Sequence, residues 1–338
     1  MRSWFSTACK NMTQYRNWNT WSRIVFALWL TLMAENIAGA QPLQRVVIAY
    51  PSRSIGSIHS FIALERGFFR EEGLEAQLVQ VRGTAAVAAT VSGDAHALEA
   101  MGTAMGAIQR GVPLRILAVN LYKPLFWLVT RPQLKTAHDL NGKIMGTTTF
   151  GGVQHLTGLR MLRKLGVNPE TVTVVQVGDV PTQLQALVQG SIDIALLSPP
   201  TVIRARDQYK MNLLAGALND FVGFQNGFAV LETNLSKDRA LLKKMLRART
   251  KANRYFWENE KGASEVLAKY MRVDFSVALE SYRLSREAYT TNGIPSEREI
   301  NEVLKTDAEM LKIPEPLPSS KIFDFAVQRE INKELGVK

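Results

Sequence analysis

Cysteine is almost missing from this sequence: Cys9 is the only one in 338 residues. A single cysteine excludes a disulfide within the chain and leaves no thiolate cluster for a metal. Histidine is scarce as well. His59, His96, His138 and His155 stand too far apart in sequence for a metal-ligand spacing with one another or with Cys9. No apolar run reaches the ~18 to 20 residues that a membrane-spanning helix needs. There is no glycine or proline periodicity of a fibre, and 46% hydrophobic with 21% charged residues excludes a disordered chain. The sequence also lacks a Gly-x-Ser-x-Gly elbow, a phosphate loop ending in Gly-Lys-Ser/Thr and a Rossmann glycine fingerprint. No metal, no cofactor and no enzymatic activity are expected on these grounds.

What the chain does carry is length for two domain-sized units, on a prior of ~150 residues each, and a net charge of +11. Four basic residues of that surplus, Arg2, Lys10, Arg16 and Arg23, sit in the first forty positions against Glu35 alone. Elsewhere the basic residues are interleaved with acids, as in Lys237-Asp238-Arg239. The densest cluster, residues 243–254, reads as the solvated face of one long helix. That distribution argues against nucleic acid as a partner. The basic leader, the apolar run 24–34 and the small-x-small site Ala38-Gly39-Ala40 together make a secretory signal. Cleavage after Ala40 and export to a periplasm are expected. The leader is longer than usual, so an uncleaved anchor stays open.

From residue 45 onward short apolar strands alternate with amphipathic helices. Residues 45–50 (RVVIAY), 75–81, 95–101 and 114–120 read as strands, with helices at 58–69, 84–92 and 104–110 between them. The pattern restarts with strands at 126–130, 143–148, 172–177 and 192–197 and helices at 154–165 and 182–188. After residue 234 only helices follow. Interleaved strands and helices of this length predict an α/β protein with largely parallel sheets. We expect two lobes, one at 44–128 plus 234–338 and one at 131–228. Crossings near 129–132 and 227–233 would act as hinges around a ligand cleft.

Ligands in open α/β sheets collect beyond the C-terminal strand ends, where helix N-termini present unpaired N–H groups. The residues that follow the strands are therefore the candidate site: Ser52, Arg53, Ser54, Gly56 and Ser57; Gly102 and Thr103; Asn120 and Tyr122; Thr148, Thr149, Phe150 and Gly151; and Ser198. Ser and Thr at helix starts also serve ordinary capping, but their recurrence at one edge of both sheets favours binding of a polar or anionic head group. Arg53 could pair with an anion directly or remain an exposed loop arginine.

Those residues also carry a resemblance. The strand VVIAY at 46–50, the segment FIALERGFFREEGLE at 61–75, GSIDIA at 190–195 and DLNGK at 139–143 resemble the substrate-binding proteins of bacterial ABC importers. The branch is that of nitrate, sulfonate, taurine and thiamine-precursor binders with the type II periplasmic binding fold. The resemblance implies a two-lobed trap that closes over a small organic anion, sulfonate or heterocyclic or aromatic solute. It would then dock on a membrane permease driven by an ATPase at the inner membrane. By position it carries ligand contacts to Ser54, Gly56, Thr103, Thr148, Gly151 and Ser198, and a monomer is expected. An enzyme on the same fold, pyrimidine-synthesising or dehydratase-like, and a ligand-presenting sensor domain are the alternatives.

Overall fold

Apolar alternation and apolar runs become ten strands in the computed structural model, which describes residues 42–337. The expected signal segment and its cleavage point lie outside the described residues. The strands are β1 (Gln44–Tyr50), β2 (Leu74–Gln80), β3 (Ala97–Ala100), β4 (Leu114–Leu121) and β5 (Trp127–Thr130) in the first half. They continue as β6 (Ile144–Thr147), β7 (Thr173–Gln176), β8 (Ile194–Leu197), β9 (Asn212–Gly216) and β10 (Asn226–Leu231). They form two five-stranded sheets, ordered β2-β1-β3-β10-β4 and β7-β6-β8-β5-β9.

The two sheets follow one plan. In the first, β1 runs parallel to β2 and β3, whereas β10 runs antiparallel to β3 and β4. In the second, β6 runs parallel to β7 and β8, and β5 runs antiparallel to β8 and β9. The sheets are thus mixed rather than largely parallel. In each, the antiparallel strand is the one that enters directly from the other lobe. The chain leaves the first sheet after Leu121, joins the second at Trp127, and returns between Gly216 and Asn226. These passages precede the crossings expected at 129–132 and 227–233. Residues 127–130 and 226–231 are paired strands, so the connections lie before them.

The principal helices are α1 (Ile58–Glu65), α2 (Gly83–Ser92), α3 (Met101–Ile108), α4 (Val153–Lys164), α5 (Val180–Gln189) and α6 (Thr201–Asp207). The C-terminal set is α7 (Arg239–Glu258), α8 (Glu260–Met271), α9 (Phe275–Ser285), α10 (Glu297–Leu311) and α11 (Ala326–Leu335). In α7, Leu242, Met245, Leu246 and Phe256 recur at helical spacing and are buried with Ile48, Ile58 and Ile62 against one face of the first sheet. Val303 of α10 and Phe323 pack with Leu98, Met101 and Ile116 on the other face. A capping box starts α10: Ser296 Oγ accepts from Glu299 N at 3.3 Å, and Glu299 Oε2 accepts from Ser296 N at 2.8 Å. Among the described residues no helix is long and apolar enough to cross a membrane.

Candidate functional site

The strand ends of both sheets face one another, and the turns after them enclose a cavity. After β1, Ser54 caps a single 3-10 turn, its Oγ accepting from Gly56 N at 3.3 Å, and α1 begins at Ile58. After β3, Gly102 and Thr103 form the first turn of α3. After β6, Thr148 and Thr149 lead to Gly152, which precedes α4. Asp179 caps α5, its Oδ1 accepting from Thr182 N at 3.1 Å. Serine, threonine and glycine stand here because helix starts demand side-chain acceptors and close backbone approach.

The lobes touch around this space. Ser52 Oγ accepts from Val180 N at 3.1 Å, Gln80 Nε2 donates to Asp179 Oδ2 at 3.1 Å, and Ile55 N donates to the Pro199 carbonyl at 3.4 Å. Gly102 lies so close to α4 that a Cβ there would stand 2.6 Å from Val153 N. Behind the cavity the two interlobe connections are tied together, since Leu125 N donates to Gln225 Oε1 at 2.8 Å.

The space between these turns is a partly open cavity of about 60 Å³. Its wall is made of hydroxyls, amides and apolar groups and holds no charged side chain. The N-terminal ends of α1, α3, α4 and α5 reach it through Ser57, Gly102, Val153 and Val180. Each such terminus favours negative charge by about 0.3–1 kcal/mol. Gln154 braces the second-lobe side. Its Oε1 accepts from Thr148 N and Thr148 Oγ1, both at 2.7 Å, and its Nε2 donates to the Leu196 carbonyl at 2.6 Å. Thr149 is 6% exposed, yet its Oγ1 has no partner in the protein. A buried hydroxyl without a protein partner can bond to water or to a ligand.

Beneath the first-lobe wall lies a buried ionic network. Arg249 of α7 pairs with Glu99, donates to Ser60 Oγ at 3.1 Å and to Asn120 Oδ1 at 2.9 Å, and approaches Asn226 Oδ1 at 3.4 Å. Burial draws the Arg249 guanidinium below its ordinary value, and Glu99 opposes that shift. Asn226 links the network to the cavity by donating to Ser57 Oγ at 3.3 Å.

Of the residues expected from sequence, Ser52, Ser54, Gly56, Ser57, Gly102, Thr103, Thr148 and Thr149 line the cavity together. The others do not. Arg53 is not on the cavity wall and directs its guanidinium to the Tyr270 carbonyl at 3.4 Å. Asn120 is spent on Arg249 one layer below. Tyr122 packs on the first-lobe core with the Lys123 ammonium 5.6 Å from its ring. Phe150 and Gly151 line a neighbouring groove. Ser198 is fully buried, with its Oγ unpartnered, and does not reach the cavity. Sequence reasoning missed Gln154, Val180, Gln225 and Asn226. The signal for the last two was an amide pair, Gln225-Asn226, set inside an apolar run from Phe224 to Leu231. No group of three or more His, Cys, Asp or Glu side chains that could hold a metal occurs among the described residues.

Comparison with known proteins places this geometry in context. Residues 55–263 match a family model described as NMT1/THI5 like. The structure resembles that of a Bordetella bronchiseptica RB50 protein (19% identity, TM-score 0.74, covering 86% of this chain and 98% of that one). It also resembles the alkanesulfonate-binding protein SsuA from Xanthomonas axonopodis pv. citri bound to MOPS (16% identity, TM-score 0.70, 83% and 98%). The desulfurization enzyme DSZB is a third likeness (13% identity, TM-score 0.63, 86% and 100%). At these identities the likeness shows a shared two-lobed α/β fold. The curated proteins searched contain no match.

Proposed function

The chain belongs to the NMT1/THI5-like family, and on that premise we propose that it is the exported solute-binding component of an ABC import system. It captures a small organic anion between its lobes and delivers it to a membrane permease with its ATPase. The observation that carries this reading is the interlobe cavity: neutral donors and helix N-termini converge on it, and Thr149 Oγ1 is left without a protein partner. A site of neutral donors suits a head group that is permanently ionised and only accepts hydrogen bonds. Sulfonate fits that description, and the similar SsuA structure holds a sulfonate buffer, MOPS.

The hinges of the trap are the connections before β5 and before β10. They are tied to each other at Leu125 and Gln225, so they bend as one strap. An exported protein of this kind acts in the periplasm as a monomer, with no nucleic acid partner. The enzyme reading on the same fold lacks parts in this cavity. Its wall carries no His, Cys, Asp, Glu or Lys to serve as general base or charged nucleophile beside its hydroxyls.

A thermal-shift panel of sulfonates, carboxylates and heterocycles, paired with small-angle scattering, tests the proposal. A true ligand at 100 times its dissociation constant adds about 2.7 kcal/mol of stability, and saturation should favour the compact form. A panel in which no anion raises the melting temperature overturns it.

A further inference from the structure

Hydrogen-bond polarity divides the cavity wall. On the second-lobe side the Gln154 amide is held in one orientation by backbone at both ends. Its Oε1 accepts from Thr148 N at 2.7 Å, and its Nε2 donates to the Leu196 carbonyl at 2.6 Å. A flipped amide would set donor against donor and acceptor against acceptor. Thr148 Oγ1 stands 2.7 Å from the same Oε1. Two oxygens come so close only with a proton between them, and an amide oxygen has none to give, so the threonine supplies it. Gln183 of α5 is fixed in the same way. Its Nε2 donates to the Gly178 carbonyl at 2.9 Å and also to Thr148 Oγ1 at 3.2 Å. Thr148 has therefore spent its only proton and one of its two lone pairs. Towards an occupant of the cavity, whose wall it helps to form, it is an acceptor only.

The first-lobe side is set the other way. Ser52 Oγ accepts from Val180 N, Ser54 Oγ from Gly56 N and Ser57 Oγ from Asn226 Nδ2. Their hydroxyl protons have no acceptor among the described residues. Gln225 Oε1 accepts from Leu125 N at 2.8 Å, which fixes that amide too. Its Nε2, a donor only, lies 3.7 Å from where a Cβ on Gly56 would stand.

We infer that the ligand carries a hydrogen-bond donor beside its anionic head: the head accepts from the first-lobe hydroxyls and the Gln225 amide, while an O–H or N–H of the ligand donates to Thr148 Oγ1. The solute is thus a hydroxy- or N–H-bearing organic anion, and Thr148 sets that specificity with Gln154 and Gln183 as its positioning residues. The inference rests on the proposed anion site and adds a second recognition element across the cleft from it. An anion with acceptors alone leaves the Thr148 lone pair unmet or sets its own oxygen against it.

Isothermal titration with matched pairs of anions tests this: glycolate against acetate, lactate against propionate, and isethionate against ethanesulfonate. In each pair the hydroxy member should bind about two- to tenfold more tightly, the range of one net hydrogen bond. In Thr148→Val that ratio should fall to about one, and in Thr148→Ser, which keeps the hydroxyl, it should persist. Cooperative melting of the free variants shows that each folds. Equal binding within every pair overturns the donor requirement and leaves the anion site standing. A preference that survives in Thr148→Val also overturns the assignment to Thr148. Absence of binding by every anion overturns the inference and the anion site together.

Discussion

Replacing Arg249 by Met should be among the most damaging single changes in the first lobe, and the reason can be worked out from its neighbours. The Arg249 and Glu99 side chains are 2% and 0% exposed. Arg249 joins Ser60 on α1, Asn120 at the end of β4 and Asn226 at the start of β10. Removing the guanidinium leaves the Glu99 carboxylate buried, with only Ser60 and the more distant Asn226 amide as donors. Breaking one partner of a buried pair costs about 3–5 kcal/mol. The loss is read as a fall in the urea midpoint with an unchanged slope.

Removing both charges, in an Arg249→Met/Glu99→Leu variant, takes away the uncompensated carboxylate. At least half of the single-variant loss should therefore return, although Asn120 and Asn226 still lose an acceptor's partner. Because Asn226 also lines the cavity, the single variant should weaken anion binding as well. If Arg249→Met costs under about 1 kcal/mol, or if the two substitutions simply add, the network is not the ionic bolt described here.

Three further outcomes follow. Gly102→Ala places a Cβ 2.6 Å from Val153 N across the cleft, so it should hold the lobes apart and lower affinity at least tenfold, with a larger radius of gyration at saturating ligand. Thr149→Val removes the unpartnered hydroxyl. It should weaken anion binding by about 1.5–3 kcal/mol, the value of a hydrogen bond to a charged group, without lowering the melting temperature of the free protein. The pH dependence of stability holds opposed contributions. Burial keeps the His59 imidazole well below its ordinary value; the unfolded chain therefore binds the extra proton, and stability falls as pH drops below about 6.5. Burial pushes the Asp307 carboxyl up to about 7, against a lowering pull from Arg160. The folded state holds that proton, and stability is lost as pH rises from about 4 towards 7. Between about pH 4 and 6.5 the Asp307 slope opposes that of His59, to which His96 and His155, also lowered by burial, add in the same direction. Asp307→Asn should expose the histidine slope, up to ~1.4 kcal/mol per pH unit for each lowered imidazole, and a denaturation series that stays flat in that variant refutes the assignment.

The limits of reading this fold from sequence fall where pairing is remote. β1, β6 and β8 are short apolar runs between turn residues, and their periodicity is local. β9 and β10 were not expected at all. β10 is buried on both faces between β3 and β4, and its partners lie more than a hundred residues away in sequence, so no local alternation marks it. The same cause hid Gln225 and Asn226, whose place in the cavity depends on that insertion.

Within the site, sequence position identified which turns approach the cleft but not which side chains enter it. The loop from Pro51 to Ser57 shows why. Ser52, Ser54, Gly56 and Ser57 line the cavity, whereas Arg53 turns to the Tyr270 carbonyl on α8. Direction at Arg53 is therefore decided by a helix that arrives more than two hundred residues later. A charged residue inside so small a space would also have to lose its hydration without a fixed partner before the ligand entered, which is costly. Neutral hydroxyls and helix termini avoid that cost, since leaving a neutral donor without a protein partner costs far less than burying an unpaired charge. The chemistry of the cavity and the outward turn of Arg53 are thus two consequences of one requirement, that the trap be stable while it waits.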